Sequence, residues 1–397
     1  MNYKPGICTF CGNGCGHMLR IADGRVDGVF ASRNHPVSQG RLCVRGWNIH
    51  ELLSTNQRIT SPAIRKNGIL EKTTYDEAIS VVMEKLIGYA KSSPDQVAVL
   101  ASPRSSNEEN YLLMKLARSV LNTNNIGLDS ESGHRASMDV LKAGTGMPGM
   151  MGSVSGIMKT GFILVFDMDI THQNPILGSE IHKARRAGAT VVTIDSRKTQ
   201  IAALSDHFLQ TRPGSNKMVL GALAKIIIDD NLMDSEYIQK YTSGFEGYAN
   251  LLGSLSFGDI ESKTGIDVAR LREIAHLLAK AGSAMAFYPS GISGLDADMI
   301  GYLFNLFLIT GKAGVNGSGI NPVTGLNNLQ GGYDMGAAPD LLTGFQSLDD
   351  EGVVKKFSDA WGCKLNPKKG KSPCEMLADP ASLPKALIVA DHDEGII

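Results

Sequence analysis

Cys8, Cys11, Cys15 and Cys43 are the residues whose type and spacing most directly imply chemistry: they read C-x2-C-x3-C-x27-C and are four of the chain's six cysteines. Thiolates are the usual protein ligands of iron–sulfur clusters, and a tight loop of three with a distant fourth can enclose a cubane. Gly12, Gly14 and Gly16 are interleaved with them, and residues without a Cβ let the backbone approach a cluster and offer its N–H groups to the sulfurs. Four thiolates also make a structural zinc site, but zinc sites favour two paired C-x2-C knuckles. Here the second half is a lone Cys43. The spacing favours one 4Fe–4S cluster and leaves zinc as the rival. Cys363 and Cys374 lie far along the chain and read as unpaired structural thiols, because an intracellular chain of this size needs no disulfide.

These cysteines sit in a turn-rich head, and the elements that follow must support it. The capping-box pattern Thr74-Tyr75-Asp76-Glu77 opens a helix with Ala78, Val81, Val82 and Lys85 at helical spacing. Val97–Leu100 reads as a buried strand, and Asn107–Val120 as a helix with Leu112, Leu113, Leu116 and Val120 on its inner face. The clearest unit is an apolar strand at Phe162–Phe166, a helix over Ile176–Arg186 with Gly188 past its end, and a strand at Thr190–Asp195. Helices over Lys217–Asp229 and Asp267–Lys280 and strands at Ala284–Tyr288 and Lys385–Ala390 continue the alternation, while Gly314–Gly344 reads as an ordered loop. Apolar strands alternating with helices imply an α/β fold with parallel sheets covered on both faces.

Composition narrows the function classes. A chain of 397 residues, 43% hydrophobic and 20% charged, has an ordinary soluble composition and room for more than one domain. A formal net charge of −1 gives no reason to expect nucleic acid or an anionic membrane surface as partner. No apolar run approaches the length of a membrane span. Met1-Asn2-Tyr3-Lys4-Pro5 resembles neither a secretory signal nor a twin-arginine leader, so the expected compartment is cytoplasmic.

The segments Cys8-Thr9-Phe10-Cys11-Gly12-Asn13-Gly14-Cys15-Gly16 and Gly40-Arg41-Leu42-Cys43-Val44-Arg45-Gly46 resemble the head of cytoplasmic formate dehydrogenase catalytic subunits, members of the molybdopterin oxidoreductase family. The similarity continues through Asn107-Glu108-Glu109-Asn110-Tyr111, Thr123-Asn124-Asn125, Asp195-Ser196-Arg197-Lys198-Thr199 and Leu326–Gly336. The resemblance implies an iron–sulfur subdomain followed by doubly wound parallel-sheet domains of the molybdopterin oxidoreductase type. In that arrangement two related domains clasp a bis-molybdopterin guanine dinucleotide beside the cluster. It implies a cluster subdomain over residues 1–55, a discontinuous first α/β domain over 56–128 plus 325–397, and an inserted Rossmann-like domain over 129–324. No capping domain is expected, since the chain stops at Ile397 where catalytic members of the family continue.

Departures from the family pattern carry as much information as the matches. The family ligates its metal through Cys or selenocysteine in a segment that here reads Asp129-Ser130-Glu131-Ser132-Gly133-His134, with Gly133 at the ligand position. The family's substrate-facing arginine is replaced by Thr324, which leaves His134 alone of the catalytic trio, and a lone histidine is more often a packing residue. Where the family places Gly-Ser-Asn after the first clasp strand, this chain has Asp167-Met168-Asp169. After the second it has Asp391-His392-Asp393. Carboxylates beside a pyrophosphate repel it at a cost on the order of 1 kcal/mol each. Asn216 replaces the Asp of the family's Arg-Pro-Gly-x-Asp. Arg45 stands where the family usually has lysine between cluster and pterin, and it reads equally as a cation tuning the cluster or as one locking its loop.

The expected function is therefore electron transfer through one 4Fe–4S cluster, with molybdopterin guanine dinucleotide and molybdenum or tungsten absent. The expected partners are other iron–sulfur or flavin redox subunits of a complex. A split molybdenum or tungsten oxidoreductase and a non-enzymatic scaffold with a structural cluster are the alternatives.

Overall fold

The computed structural model describes residues 2–56, 58–128, 131–291 and 295–391; Asp129, Ser130, His392 and Asp393 lie outside them. The cysteine-bearing head is a three-stranded antiparallel sheet of β1 (Asn2–Ile7), β2 (Gly16–Ala22) and β3 (Arg25–Ala31), in that order. Asp23 and Gly24 join β2 to β3 at φ of 48° and 74°, the left-handed pair that a two-residue hairpin turn requires. Asn67 and Gly68 repeat the device at φ of 50° and 84° between β4 (Ala63–Lys66) and β5 (Ile69–Lys72).

Two parallel sheets carry the rest. The smaller has the order β13-β6-β7, from β6 (Val97–Ala101), β7 (Ile126–Leu128) and β13 (Ala386–Val389). The larger has the order β10-β9-β8-β11-β12, from β8 (Phe162–Phe166), β9 (Thr190–Asp195), β10 (His207–Gln210), β11 (Ala284–Ser290) and β12 (Gly319–Thr324). Every residue of β6, β8 and β11 is buried, which explains their uninterrupted apolar sequences: helices cover a parallel sheet on both faces. Helix Pro175–Arg186 crosses from β8 to β9, with Pro175 at its first position. Strands β8, β9 and β10 proceed one way across the sheet and β11 and β12 the other. The crevice at the carboxyl ends of β8 and β11, where the direction reverses, is where open parallel sheets bind ligands.

Several elements differ from the sequence expectation. Gly314–Gly344 is not a loop throughout: it contains β12 and a helix at Leu329–Asp334. Pro322 hid the strand, and it is tolerated because β12 is the edge of its sheet. The Asn107–Lys115 helix continues as a π-helical segment over Leu116–Val120, closed by Leu121 N–H to Leu116 O at 3.0 Å. The inner face runs through Asn110, Met114, Ala117 and Leu121, while Leu112 and Val120 are exposed. Thr74 caps helix Tyr75–Ser92 by accepting from Glu77 N–H, but the Glu77 carboxylate turns away to the Thr73 hydroxyl and to Lys66. In that helix Val82 is exposed and Leu86 is the buried residue.

Candidate functional site

The loop between β1 and β2 holds three of the four thiols. Cys8 N–H donates to Cys15 O at 2.8 Å, pinching the loop shut, and Gly14 sits inside it at φ 54°. Asn13 Nδ2 donates to Cys15 Sγ at 2.9 Å. Cys8, Cys11 and Cys15 are buried, and Cys43 comes in beside them at the start of a short helix, Val44–Trp47, less deeply buried. Burial pushes the Cys8 and Cys11 thiols up and takes Cys15 to about 11, and the neighbouring thiols add to each shift. Burial also raises Cys43, but the amides of Gly46 and Arg45 and the Arg45 guanidinium together bring it below its ordinary value.

The four thiols thus feel one another's charge. Among the described residues, however, no three His, Cys, Asp or Glu side chains converge closely enough to hold a single metal ion. Thiolates around one zinc lie roughly 3.8 Å apart, given Zn–S bonds of about 2.3 Å. In a cubane the four sulfur ligands bind separate irons. The donor set fits the cluster.

Three contacts bind the head to the larger sheet. Gly12 N–H donates to Thr324 O at 3.1 Å. Arg45 Nη2 donates to Gln173 O at 2.7 Å. Arg41 pairs with Glu180 on helix Pro175–Arg186. Arg45 therefore touches both the Cys43 thiol and the end of the helix Ile170–Gln173.

Behind the cysteine loop lies a cavity of about 380 Å³. Its described lining includes Gly12, Asn13, His134, Asn174, Thr324, Asn327 and Gln330. Thr324, at the end of β12, and His134, on helix Glu131–Thr145, meet here as the sequence register implied. A Cβ on Gly12 would collide with Thr324 Oγ1, so the loop is fitted to a small residue at position 324. His134 is buried, its Nδ1 2.7 Å from Ser290 Oγ, and burial lowers its ring to about 4. Gly133 presents only backbone, its carbonyl accepting from Ser137 Oγ at 3.2 Å. Asn174 and Asn327 also line this cavity and had been given no role from sequence. The Asn174-Pro175 pair signals a helix start, which explains the position of Asn174 but not its direction into a cavity.

The strand-end aspartates act differently from the expected electrostatic repulsion. Asp169 Oδ1 accepts from Thr171 N–H at 3.2 Å and from Thr171 Oγ1 at 2.5 Å, and its Oδ2 accepts from Gln200 N–H at 3.2 Å. Burial raises this carboxyl, but those donors bring it below the usual range. The carboxylate thus caps the short helix Ile170–Gln173 and bonds the first amide of the helix that starts at Gln200. Asp167 is half-buried, and burial together with Asp195 raises its carboxyl against the Asn216 amide and Arg197. Asn216 in turn accepts from Thr211 Oγ1 at 2.8 Å. These strand-end groups do not fit a dinucleotide pyrophosphate.

No helix among the described residues is long and apolar enough to cross a membrane. The sequence profile of the molybdopterin oxidoreductase Fe4S4 domain matches residues 1–55, and that of the molybdopterin oxidoreductase domain matches residues 58–395. The F420-dependent formate dehydrogenase subunit alpha of Methanocaldococcus jannaschii is 35% identical over 375 residues, spanning 94% of this chain and 54% of its own length. The F420-dependent formate dehydrogenase 1 subunit alpha of Methanococcus maripaludis is 33% identical over 385 residues, spanning 96% of this chain and 56% of its own length. The chain therefore spans about half the length of these curated relatives. Acetylene hydratase from Pelobacter acetylenicus shares the fold over 79% of this chain and 44% of its own, at a TM-score of 0.71 and 20% identity. With an Fe4S4 domain at its head, parallel sheets behind it and formate dehydrogenase alpha subunits among its relatives, the chain belongs to the molybdopterin oxidoreductase family.

Proposed function

We propose that this chain holds one 4Fe–4S cluster on Cys8, Cys11, Cys15 and Cys43 and passes electrons between iron–sulfur or flavin subunits of a redox complex, without molybdenum, tungsten or pterin. The observation that carries this reading is the cavity behind the cysteine loop. Gly133 and Thr324 offer it no thiolate and no cation, and its lining residues among those described are uncharged. Oxidising formate by the family's mechanism calls for a ligated metal and a cation that orients the carboxylate. Asp169 adds to the case by filling the amides at the first strand end.

When bound, a cubane supplies one-electron storage. The chain's own residues set its surroundings. Cys8, Cys11 and Cys15 are kept from water, Asn13 donates to the Cys15 sulfur, and Arg45 places a positive charge at Cys43. Cys43, the least buried of the four, gives the shortest way out to a partner. The same reading divides the chain at 1–55, 129–324, and 56–128 with 325–397, a division supported by the pairing of β13 with β6 across the inserted segment.

The test is iron, sulfide, metal and pterin analysis of the purified chain alongside its Cys11→Ser and Cys43→Ser variants. Roughly four irons without pterin are expected for one cubane, with the visible absorption and the reduced-state EPR signal lost in both variants. Full signals in both variants would refute the ligand assignment. Stoichiometric pterin would replace this reading with that of a molybdenum or tungsten oxidoreductase completed by further polypeptide.

A further inference from the structure

We propose that the cavity behind the cysteine loop binds a small uncharged molecule rich in hydrogen-bond donors, of the primary amide or urea class, and rejects carboxylates. The inference rests on the metal-free reading of this cavity and goes beyond it by naming what the space accepts.

Three polar atoms at the cavity are buried without a hydrogen-bond partner: His134 Nε2, Asn174 Oδ1 and Asn327 Oδ1. Buried polar atoms are rarely left unpaired, because each forfeits its bond to water. Three around one space mark the outline of a ligand or of ordered water. The orientation of Asn174 is fixed, since its Nδ2 donates to Thr324 O at 3.2 Å and leaves Oδ1 as the free acceptor. Asn327 Oδ1 is a second acceptor. His134 is held at Nδ1 by Ser290, and the Gln330 side chain lies against the same ring without completing a hydrogen bond at Nε2. Deep burial keeps that ring neutral at neutral pH. The Gln330 amide does not contribute a donor, for its Nε2 is already used by Pro148 O and Asp334 Oδ1 at 2.8 Å each.

The set therefore presents acceptors, and no lysine or arginine lines the cavity among the described residues. Behind the lining, Gln330 Nε2 donates to the Asp334 carboxyl, which burial raises. A carboxylate entering would lose its hydration and meet two carbonyl oxygens with no cation to offset them. A primary amide of the same shape brings two N–H donors for Asn174 and Asn327, and its oxygen or a further donor can face His134. Some 380 Å³ leaves room for substituted members of the class.

Formamide and formate form the discriminating pair, nearly identical in shape and differing in charge and donors. In the cluster-loaded full chain, the methyl resonances of Met150 and Val154, which line the cavity, are followed while each probe is added. Formamide should shift them saturably, in the millimolar range or weaker for a three-heavy-atom probe, and formate should not. Asn327→Leu should weaken formamide about five- to tenfold, the loss of one neutral hydrogen bond. Asn327→Asp keeps the acceptor and should retain formamide binding, which covers the case of a leucine variant that fails to fold. Formate shifting the same methyls equally well, neither probe shifting them, or unchanged affinity in Asn327→Leu would each overturn the proposal. Pterin released from the same preparation by acid oxidation is read separately: it would defeat the metal-free reading itself, whereas silent methyls in pterin-free protein would defeat only this inference.

Discussion

Removing the imidazole of His134 should flatten the acid limb of the stability curve. His134 is buried against Ser290 and Tyr333, and burial lowers its ring from an ordinary 6.5 to about 4. The unfolded chain takes up a proton on this ring as pH falls through 6.5, and the folded chain refuses it until about 4. The unfolded state therefore binds more protons across that window, so stability is complete above it and declines as pH falls through it. Each unit of separation is worth about 1.4 kcal/mol, and the linkage integral between pH 7 and pH 5 comes to about 2 kcal/mol from this one residue.

Urea unfolding followed by far-UV circular dichroism at pH 7, 6 and 5 measures the effect, with the parent chain compared against His134→Gln at each pH. Loss of the Ser290 hydrogen bond shifts the variant by a constant amount, and cluster chemistry common to both proteins cancels in the difference. The expected signature is a gap between the two curves that changes by about 2 kcal/mol in the variant's favour between pH 7 and pH 5. A gap independent of pH would show that His134 is hydrated or readily protonated in the folded chain, and the argument from its burial would fall.

Asp169→Ala should lower stability by about 1–2 kcal/mol in the same unfolding assay, because the Thr171 and Gln200 amides lose their acceptor together. Arg45→Gln should lower the cluster's reduction potential by something on the order of 50 mV in a redox titration, since a positive charge at Cys43 favours the electron-rich state. An unchanged potential would leave Arg45 only its anchoring bond to Gln173. Asp340→Asn should cost on the order of 1–2 kcal/mol by removing a two-pronged contact to Arg135 at 2.8 and 3.0 Å. That loss should shrink in acid, because burial raises the Asp340 carboxyl but Arg135 and Lys369 hold it below the usual range, and protonation erases the pair in the parent too.

The cysteine loop was legible because chemistry fixes both residue type and spacing. Buried strands were legible because two covered faces demand an unbroken apolar run, as in Phe162–Phe166. The hairpins at Asp23-Gly24 and Asn67-Gly68 carry a plain turn signal, one that the density of glycines around the cysteines obscured. Failures came where tertiary context overrides local pattern. Pro322 sits in a strand because that strand is an edge. The helix from Asn107 buries Asn110 and Met114 and leaves the more apolar Leu112 outside, because packing and not apolarity selects its face. The cavity was half legible. His134 and Thr324 followed from register, but Asn174 and Asn327 reach it from the segments after β8 and β12, and no spacing encodes that convergence.

The two aspartates at the strand ends show how a binding loop can keep its backbone while changing its chemistry. Asp167 follows β8 at φ 54° and Asp391 follows β13 at φ 50°. Both are left-handed conformations that glycine adopts freely and that aspartate tolerates better than most residues. The resemblance to formate dehydrogenases places glycine at these positions, so the turn survives where the small side chain does not. Asp391 is held in it by Ser102 Oγ donating to its carbonyl at 3.1 Å, and Asp167 by its own N–H donating to Ile194 O at 2.8 Å. A carboxylate gained at such a turn projects at the end of a parallel strand, where a phosphate would otherwise be met by backbone N–H groups. Two residues on from Asp167, Asp169 completes the change by bonding those groups itself. Restoring Asp169→Asn alone should therefore not recover pyrophosphate binding, because Asp167 still stands at the turn. Asp167→Gly with Asp169→Asn together should raise the melting temperature in millimolar pyrophosphate relative to chloride of equal ionic strength. A double variant indifferent to pyrophosphate would show that the aspartates are not what closes this strand end to phosphate.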